Sequence, residues 1–154
     1  MEKEDLLKSR IGLKLVAIGK MSKVFALQRF AKEEHEISPE QFSVLAVLAE
    51  NNGMHQSQIG QATMKDKANI TRIINILETN GLVRRNSEVD KRKVNKIYIT
   101  EKGIKAYEKI LPTILDIWQS TIDGINASEI EVMLKVLAQI RQNLDEKLNL
   151  REKV

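Results

Sequence analysis

The chain has no cysteine among its 154 residues, only two prolines and 4% aromatic residues. The lack of thiols excludes disulfide bonds, thiolate metal sites and thiol-based peroxide sensing, and it is typical of a reducing compartment. Few prolines and few aromatics, beside 42% apolar residues, favour a helix-rich fold. The length suits a single domain, residues 1–154, with its own core.

Signals for targeting and for catalysis are also missing. The acidic N-terminus lacks the apolar segment of a signal peptide, and no apolar run is long enough to span a membrane, so we expect a cytoplasmic protein. The two histidines, His35 and His55, are too few for the clustered ligands of a zinc site. Because there is also no glycine-rich phosphate loop, we expect no metal, no cofactor and no enzyme activity.

Positive charge is concentrated in one part of the sequence. Residues 61–103 hold ten Lys or Arg against five Asp or Glu, whereas the remainder holds fifteen against sixteen. A local excess of this kind is the electrostatic footprint expected of a surface that binds a polyanion. Within it, residues 84–96 carry six basic side chains between two short apolar runs, which predicts a basic β-hairpin.

Apolar residues recur at helical spacing over most of the chain. Long helices are predicted over residues 5–35, 101–123 and 126–148, the second with Pro112 inside it, where proline should bend or break the helix. A shorter helix begins at Ser38 with a capping-box pattern. The residues predicted to form its inward stripe are Phe42, Leu45, Ala46, Leu48 and Ala49.

Two short helices, over residues 56–64 and 67–80, predict a helix-turn-helix. The second buries a stripe at i, i+3, i+4 and i+7 spacing, from Ile70 to Leu77. A helix that enters the major groove needs small or hydrogen-bonding residues on its other face. This helix has them, although an ordinary surface helix would show the same pattern: Ala68, Asn69, Thr71, Arg72 and Asn75.

Two arginines are the strongest candidates for reading DNA. The fork of Arg72 can pair with guanine, and Asn69 and Asn75 can read adenine or hold phosphate. Arg92, at the tip of the hairpin, can enter a minor groove, where negative potential is focused, while Asp90 can pair with a neighbouring arginine and hold the loop. A solvated charged turn is the alternative, but helix-turn-helix, hairpin and local charge together favour DNA.

These motifs together resemble the multiple-antibiotic-resistance regulator (MarR) family of winged helix-turn-helix transcription factors. The resemblance covers nearly the whole chain and implies a mostly α fold with a small β-hairpin wing. Residues 37–100 would form the winged helix-turn-helix, and residues 1–36 and 101–154 long dimerisation helices. The matching motifs are Asn69-Ile70-Thr71-Arg72, residues 77–85, Asp90-Lys91-Arg92 and Thr100-Glu101-Lys102-Gly103.

The resemblance further implies a homodimer on a pseudo-palindromic operator, with Thr71 and Arg72 in the major groove and Arg92 in the minor groove. The candidate DNA-binding residues are Lys65, Lys67, Ala68, Asn69, Thr71, Arg72, Asn75, Arg84, Arg85, Asp90, Lys91, Arg92 and Lys93. The candidate dimerisation residues, which would otherwise form the internal core of a monomer, are Ile11, Leu15, Ile18, Trp118, Leu137, Ile140 and Leu144.

Members of the family commonly bind a small amphipathic, often phenolic or acidic, effector that releases DNA, which implies a repressor. Phe30, His35 and Tyr107 would lie near the effector crevice, although core packing or surface exposure accounts for each of them. Activation of transcription is an alternative, as is a winged helix that docks onto a protein. The docking alternative predicts an uncharged wing or an apolar outer face. Where the family often has Thr or Ser as a helix cap, this chain has His55, a weaker cap.

Overall fold

The computed structural model of the chain describes residues 3–86 and 96–148, with side chains from residue 9 onward. Helices dominate, and one small sheet accompanies them, so the mostly α class with a hairpin wing is confirmed. None of the described helices is long and apolar enough to cross a membrane. The elements in chain order are α1 (Lys3–Lys32), α2 (Pro39–Glu50), β1 (Met54–His55), α3 (Gln56–Ala62), α4 (Lys67–Thr79), β2 (Val83–Asn86), β3 (Lys96–Ile99), α5 (Glu101–Thr121) and α6 (Ala127–Lys147).

Helix starts follow the polar residues that the sequence offers as caps. The Ser38 hydroxyl accepts from the backbone N–H of Gln41, and the Gln41 side chain accepts from the backbone N–H of Ser38, which completes the predicted capping box. The side chains of Asp66, Thr100 and Asn126 likewise accept a backbone N–H at the starts of α4, α5 and α6, and at α6 Glu129 completes a second capping box. Each cap satisfies a backbone N–H that has no partner inside its helix.

Helix α5 continues through Pro112, so of the two predicted outcomes, a bend or a break, the break does not occur. Proline removes only one backbone hydrogen bond, and its own position is exposed. Ile110 and Ile117, one on each side of it, are buried in the core. Their packing holds both halves of the helix in place across the missing bond.

The three strands form one antiparallel sheet in the order β1-β3-β2. In the hairpin, Val83 is paired with Ile99 and Arg85 with Ile97. The two-residue strand β1 was not predicted, because Met54 and His55 are too few to show an alternating pattern. The side chain of Asn52, just before β1, accepts from the backbone N–H of Ile99 in β3 at 3.0 Å. This hydrogen bond links the start of β1 to β3.

The core lies between α2, α4, α5 and the sheet. Helix α6 contributes no buried residue and the described side chains of residues 9–20 of α1 are all exposed. The core therefore includes residues of α5 and the end of α1, while α6 and the first part of α1 lie outside it. The largest fully buried side chains are Leu45, Leu48, Ile59, Ile70, Ile73, Ile74, Leu77, Ile97, Ile117, Val44 and Val83.

The exit of α4 and the start of α5 are joined at one tight junction. Gly81 has φ +71° and reverses the chain, so that the Leu82 N–H bonds to the Leu77 carbonyl at 2.8 Å, as in a Schellman ending. The Thr100 hydroxyl donates to the Gly81 carbonyl at 2.7 Å and accepts from the backbone N–H of Gly103 at 3.0 Å. One threonine thus links the end of α4 to the start of α5.

The turn between α3 and α4 places Met64 in the left-handed region, at φ +52°. The Lys65 N–H bonds to the Gly60 carbonyl at 2.8 Å, so Met64 holds the position where glycine is usual. A left-handed conformation costs a residue with a Cβ about 1–2 kcal/mol. Glycine does not have this cost, but its greater freedom in the unfolded chain offsets part of the resulting stabilisation.

We therefore expect Met64→Gly to raise the free energy of unfolding by about 0.5–1 kcal/mol, measured by urea unfolding at a fixed protein concentration. Met64→Ala is the matched control. It keeps the Cβ and removes only a side chain that is 66% exposed, so stability should stay within about 0.5 kcal/mol of the wild type. Equal stabilisation by both substitutions would contradict the strain argument.

Candidate nucleic-acid interface

Helix α4 buries Ile70, Ile73, Ile74 and Leu77 and turns its polar residues outward, as the sequence predicts. This orientation leaves the outer surface free for a groove, because every large apolar side chain of the helix except Ile76 is buried in the core. Ile76 is only half-buried. The exposed candidates are Lys67, Ala68, Asn69, Arg72 and Asn75, whereas Lys65 and Thr71 are half-buried.

A chain of hydrogen bonds links the cap of α4 to Arg72. The Asp66 carboxylate accepts from the backbone N–H of Asn69 at 2.8 Å and from its side-chain amide at 3.2 Å. The backbone hydrogen bond is the main reason why the pKa of Asp66 lies below its ordinary value. The Asn69 amide oxygen then accepts from Nη2 of Arg72 at 3.2 Å. Asp66 therefore determines which way the Asn69 amide points.

The hydroxyl of Thr71 makes its hydrogen bonds within the protein. It donates to the Lys67 carbonyl at 2.7 Å and accepts from Nε2 of Gln56 at 2.6 Å. Gln56, at the start of α3, therefore ties the two helices of the helix-turn-helix together. Sequence reasoning missed this role, since nothing in the spacing of the two residues relates them.

Arg85 does not point freely into solvent. Its guanidinium donates to the Glu78 carboxylate and, at 2.7 Å, to the amide oxygen of Asn75, and its backbone N–H donates to Glu78 at 3.2 Å. Asn75 and Arg85, both candidates for DNA contact, are therefore bonded to each other. Their shared bonds fix the base of the wing beside the outer face of α4.

The wing contains five further candidates, of which the structure describes Arg84. Arg84 is exposed, and its guanidinium carbon lies 4.8 Å from the ring centroid of Tyr98, a cation–π distance. Four candidates, Asp90, Lys91, Arg92 and Lys93, lie outside the described residues. Their contacts with DNA stay a prediction from the sequence.

An acidic residue that sequence reasoning did not single out also lies at this surface. The carboxylate of Glu40, in the first turn of α2, lies 3.0 Å from Nζ of Lys23 and 3.9 Å from Nη2 of Arg72. The Lys23 hydrogen bond, with the charges of Lys65, Lys23 and Arg72, holds the pKa of Glu40 below its ordinary value. This carboxylate is therefore ionised at neutral pH.

The candidate dimerisation residues lie at the surface of the chain, outside its own core. Ile11, Leu15 and Ile18 of α1 are 48%, 38% and 56% exposed. On the C-terminal side, Trp118 and Leu144 are each 52% exposed. Leu137 is also exposed, and Ile140 is half-buried. The described chain therefore has apolar faces on α1, α5 and α6 that it does not cover itself.

The three candidates for an effector crevice belong to one group of packed rings that includes Phe42. The rings of Phe30 and Phe42 meet edge-on at 6.3 Å, and Phe42 stacks on Tyr107 at 5.4 Å. The ring of His35 meets Phe30 edge-on at 5.0 Å. Phe30 is 4% exposed. Its burial agrees with plain core packing, the interpretation that the sequence favours for it.

His35 also joins a polar cluster between α1 and α5. Because Thr113 donates its single hydroxyl hydrogen to Glu33, Nε2 of His35 donates to Thr113, at 2.8 Å. The Thr113 hydrogen bond, followed by that of Arg29, lowers the pKa of Glu33. Arg29 bonds Glu33 at 2.8 Å and Asp116 at 2.6 Å. The cluster clamps the end of α1 onto the middle of α5.

His55 is the weak cap that the sequence predicts. Its backbone N–H donates to the Gln58 side chain at 2.9 Å, but ring Nδ1 is buried without a partner. The start of α3 is therefore held mainly by Gln58.

Known proteins share the fold of this chain and part of its sequence. A sequence profile of the MarR family matches residues 35–93. YkoM, an uncharacterised HTH-type transcriptional regulator of Bacillus subtilis, is 37% identical over 81 residues, 52% of this chain and 52% of YkoM. The crystal structure of a MarR-family transcriptional regulator from Silicibacter pomeroyi superposes with a TM-score of 0.77 at 21% identity, over 93% of this chain and 96% of that one. BpsR of Bordetella bronchiseptica, whose DNA binding is regulated by 6-hydroxynicotinic acid, gives 0.78 at 21% identity, over 86% and 98%.

The polar outer face of α4, fixed to the base of a β-hairpin, defines a winged helix-turn-helix DNA-binding protein. Residues 35–93 of the chain match the MarR family of transcriptional regulators, and the relatives that it resembles are transcriptional regulators rather than enzymes.

Proposed function

We propose that the protein is a cytoplasmic homodimeric repressor that binds a pseudo-palindromic operator and is released by a small effector. The hydrogen bond between Arg85 of β2 and Asn75 of α4 is the observation that supports this most directly. It joins the hairpin base and the outer helix face into one surface. A surface of this shape suits two adjoining grooves of a duplex.

The uncovered apolar faces of α1, α5 and α6 support the homodimer. A soluble monomer rarely exposes large contiguous apolar patches, and these faces include Leu15, Trp118 and Leu144. A two-fold dimer buries the same patch on both copies. Its two recognition helices would meet successive major grooves, about 34 Å apart along the duplex.

Control by an effector is supported by one relative and by a group of packed rings in this chain. The regulator of DNA binding by BpsR, 6-hydroxynicotinic acid, is a small aromatic acid, the chemistry that the resemblance implies. In this chain, the Phe30, Phe42 and Tyr107 rings and the His35–Thr113 bond lie where the winged helix meets α1 and α5. A ligand that separates these helices would change the spacing of the recognition helices.

The proposal is tested by sedimentation and by binding to the promoter of the protein's own gene, with a scrambled duplex of equal length as the control. We expect a dimer at micromolar concentration that prefers the promoter by about 10³-fold or more at physiological salt. A monomer would overturn the homodimer. Equal, weak binding to both duplexes would overturn operator recognition, and no binding even in dilute salt would favour the protein-docking alternative.

A further inference from the structure

We propose that Glu40 is a positioning residue that holds the guanidinium of Arg72 ready for the groove, and so strengthens discrimination between operator and random DNA. The inference rests on the proposed function, because it takes Arg72 as a base-reading residue. It concerns a carboxylate on α2, outside the helix-turn-helix motif and outside the wing.

The contacts of Arg72 are one-sided. Both of its described partners, the Asn69 amide oxygen at 3.2 Å and the Glu40 carboxylate at 3.9 Å, lie against the same nitrogen, Nη2. No other partner of the Arg72 guanidinium is found among residues 9–86 and 96–148. The remaining N–H groups can therefore turn toward a base without breaking these contacts, and the side chain as a whole is 59% exposed.

Each of the two acceptors is itself anchored. Asp66 fixes the Asn69 amide with a 3.2 Å hydrogen bond, and Lys23 of α1 fixes the Glu40 carboxylate at 3.0 Å. A long arginine loses much rotamer freedom when it binds. Because anchored partners restrict it beforehand, less of that loss remains when the operator is bound.

The charge of Glu40 has a second effect on random DNA. An ionised carboxylate close to Arg72 partly cancels the positive charge that a phosphate would meet, and phosphate attraction supplies most of non-specific binding. A base edge offers Arg72 directional acceptors instead, so the same carboxylate disfavours random DNA more than the operator.

The test compares wild type, Glu40→Gln, Arg72→Ala and the double variant on operator and scrambled duplexes at one salt concentration. Glu40→Gln keeps the shape and the Lys23 hydrogen bond but removes the charge. We expect it to lower the operator preference by about fivefold per half-site, the upper range for an exposed ion pair, with no loss of affinity for the scrambled duplex. On the Arg72→Ala background the same substitution should have no effect, because the two residues act as one unit.

Glu50→Gln is the matched control, since it removes the same charge from an exposed position at the far end of α2 and should leave the preference unchanged. If Glu40 had only a structural role, Glu40→Gln would lower the affinity for both duplexes alike. If Glu40 only repelled DNA in general, Glu40→Gln would raise the affinity for both alike. Either result, or an effect that persists without Arg72, overturns the inference. In the free protein, NMR relaxation of the Arg72 Nε–H should show greater mobility in Glu40→Gln, and unchanged mobility would also overturn it.

The two proposals fail in different ways. A wild type with no preference for the operator overturns the proposed function and this inference with it. A wild type that has the preference, beside a Glu40→Gln variant that keeps it in full, overturns this inference alone.

Discussion

Arg72→Ala should weaken binding to the operator by about 1–3 kcal/mol per half-site and leave binding to random DNA nearly unchanged. The reason is geometric, since Arg72 lies on the exposed face of α4 and its fork can take both guanine acceptors. A dimer that contacts two half-sites should lose twice this binding free energy. The measurement is equilibrium binding to both duplexes over a range of salt concentrations.

Arg72→Lys is the control for charge. Lysine keeps the positive charge but not the planar fork, so Arg72→Lys should leave random-DNA binding unchanged and retain operator binding only in part. The salt dependence gives a second reading of the same question. A phosphate contact would reduce the salt slope by about 0.9 for each contact that is lost. Equal loss on both duplexes together with a shallower slope would show that Arg72 contacts the backbone and reads no base.

Gly103→Ala should destabilise the fold by about 3 kcal/mol, the upper range for an overpacked site. A Cβ at this position would overlap the Leu82 carbonyl oxygen and come within 2.8 Å of Cγ1 of Ile99. The carbonyl cannot easily move away, because it accepts the backbone N–H of Thr100 at 3.0 Å. The expected fall in Tm is roughly 10 °C at fixed protein concentration.

Glu108→Ala is the control within the same helix, at an exposed position, and should stay within about 0.5 kcal/mol of the wild type. The sign is informative, because replacing a helical glycine by alanine ordinarily stabilises by about 0.5–1 kcal/mol. A Gly103→Ala protein as stable as the wild type would mean that α5 can shift away from β2.

Local signals in the sequence were enough to predict the helices and their caps. The predicted Ser38 capping box involves neighbours three residues apart and is present, and the caps at Asp66 and Thr100 have the same local spacing. The predicted inward stripe of α2 was less accurate. Ala49 is exposed, while Val44, outside the stripe, is fully buried. Helix α2 contacts α4, α5 and β3, so it buries more than one face.

The outer face of α4 was predictable because helical geometry alone determines which residues point away from the core. The partners of those residues were not, because they come from distant segments. Gln56 reaches Thr71 across 15 residues, and Lys23 reaches Glu40 across 17. Such contacts depend on how the helices pack, and helical periodicity contains no information about that packing.

The bonds from Arg85 to Glu78 and Asn75 also bear on how the duplex must adapt. These hydrogen bonds fix the position of the wing base relative to α4. The two parts therefore cannot shift relative to each other when the spacing of two DNA grooves differs from their own spacing. The adjustment then has to come from DNA, by bending or by a change in minor-groove width. Pyrimidine–purine steps bend most easily, so operators with such a step between the two contacted grooves should bind more tightly, even though no side chain touches that step.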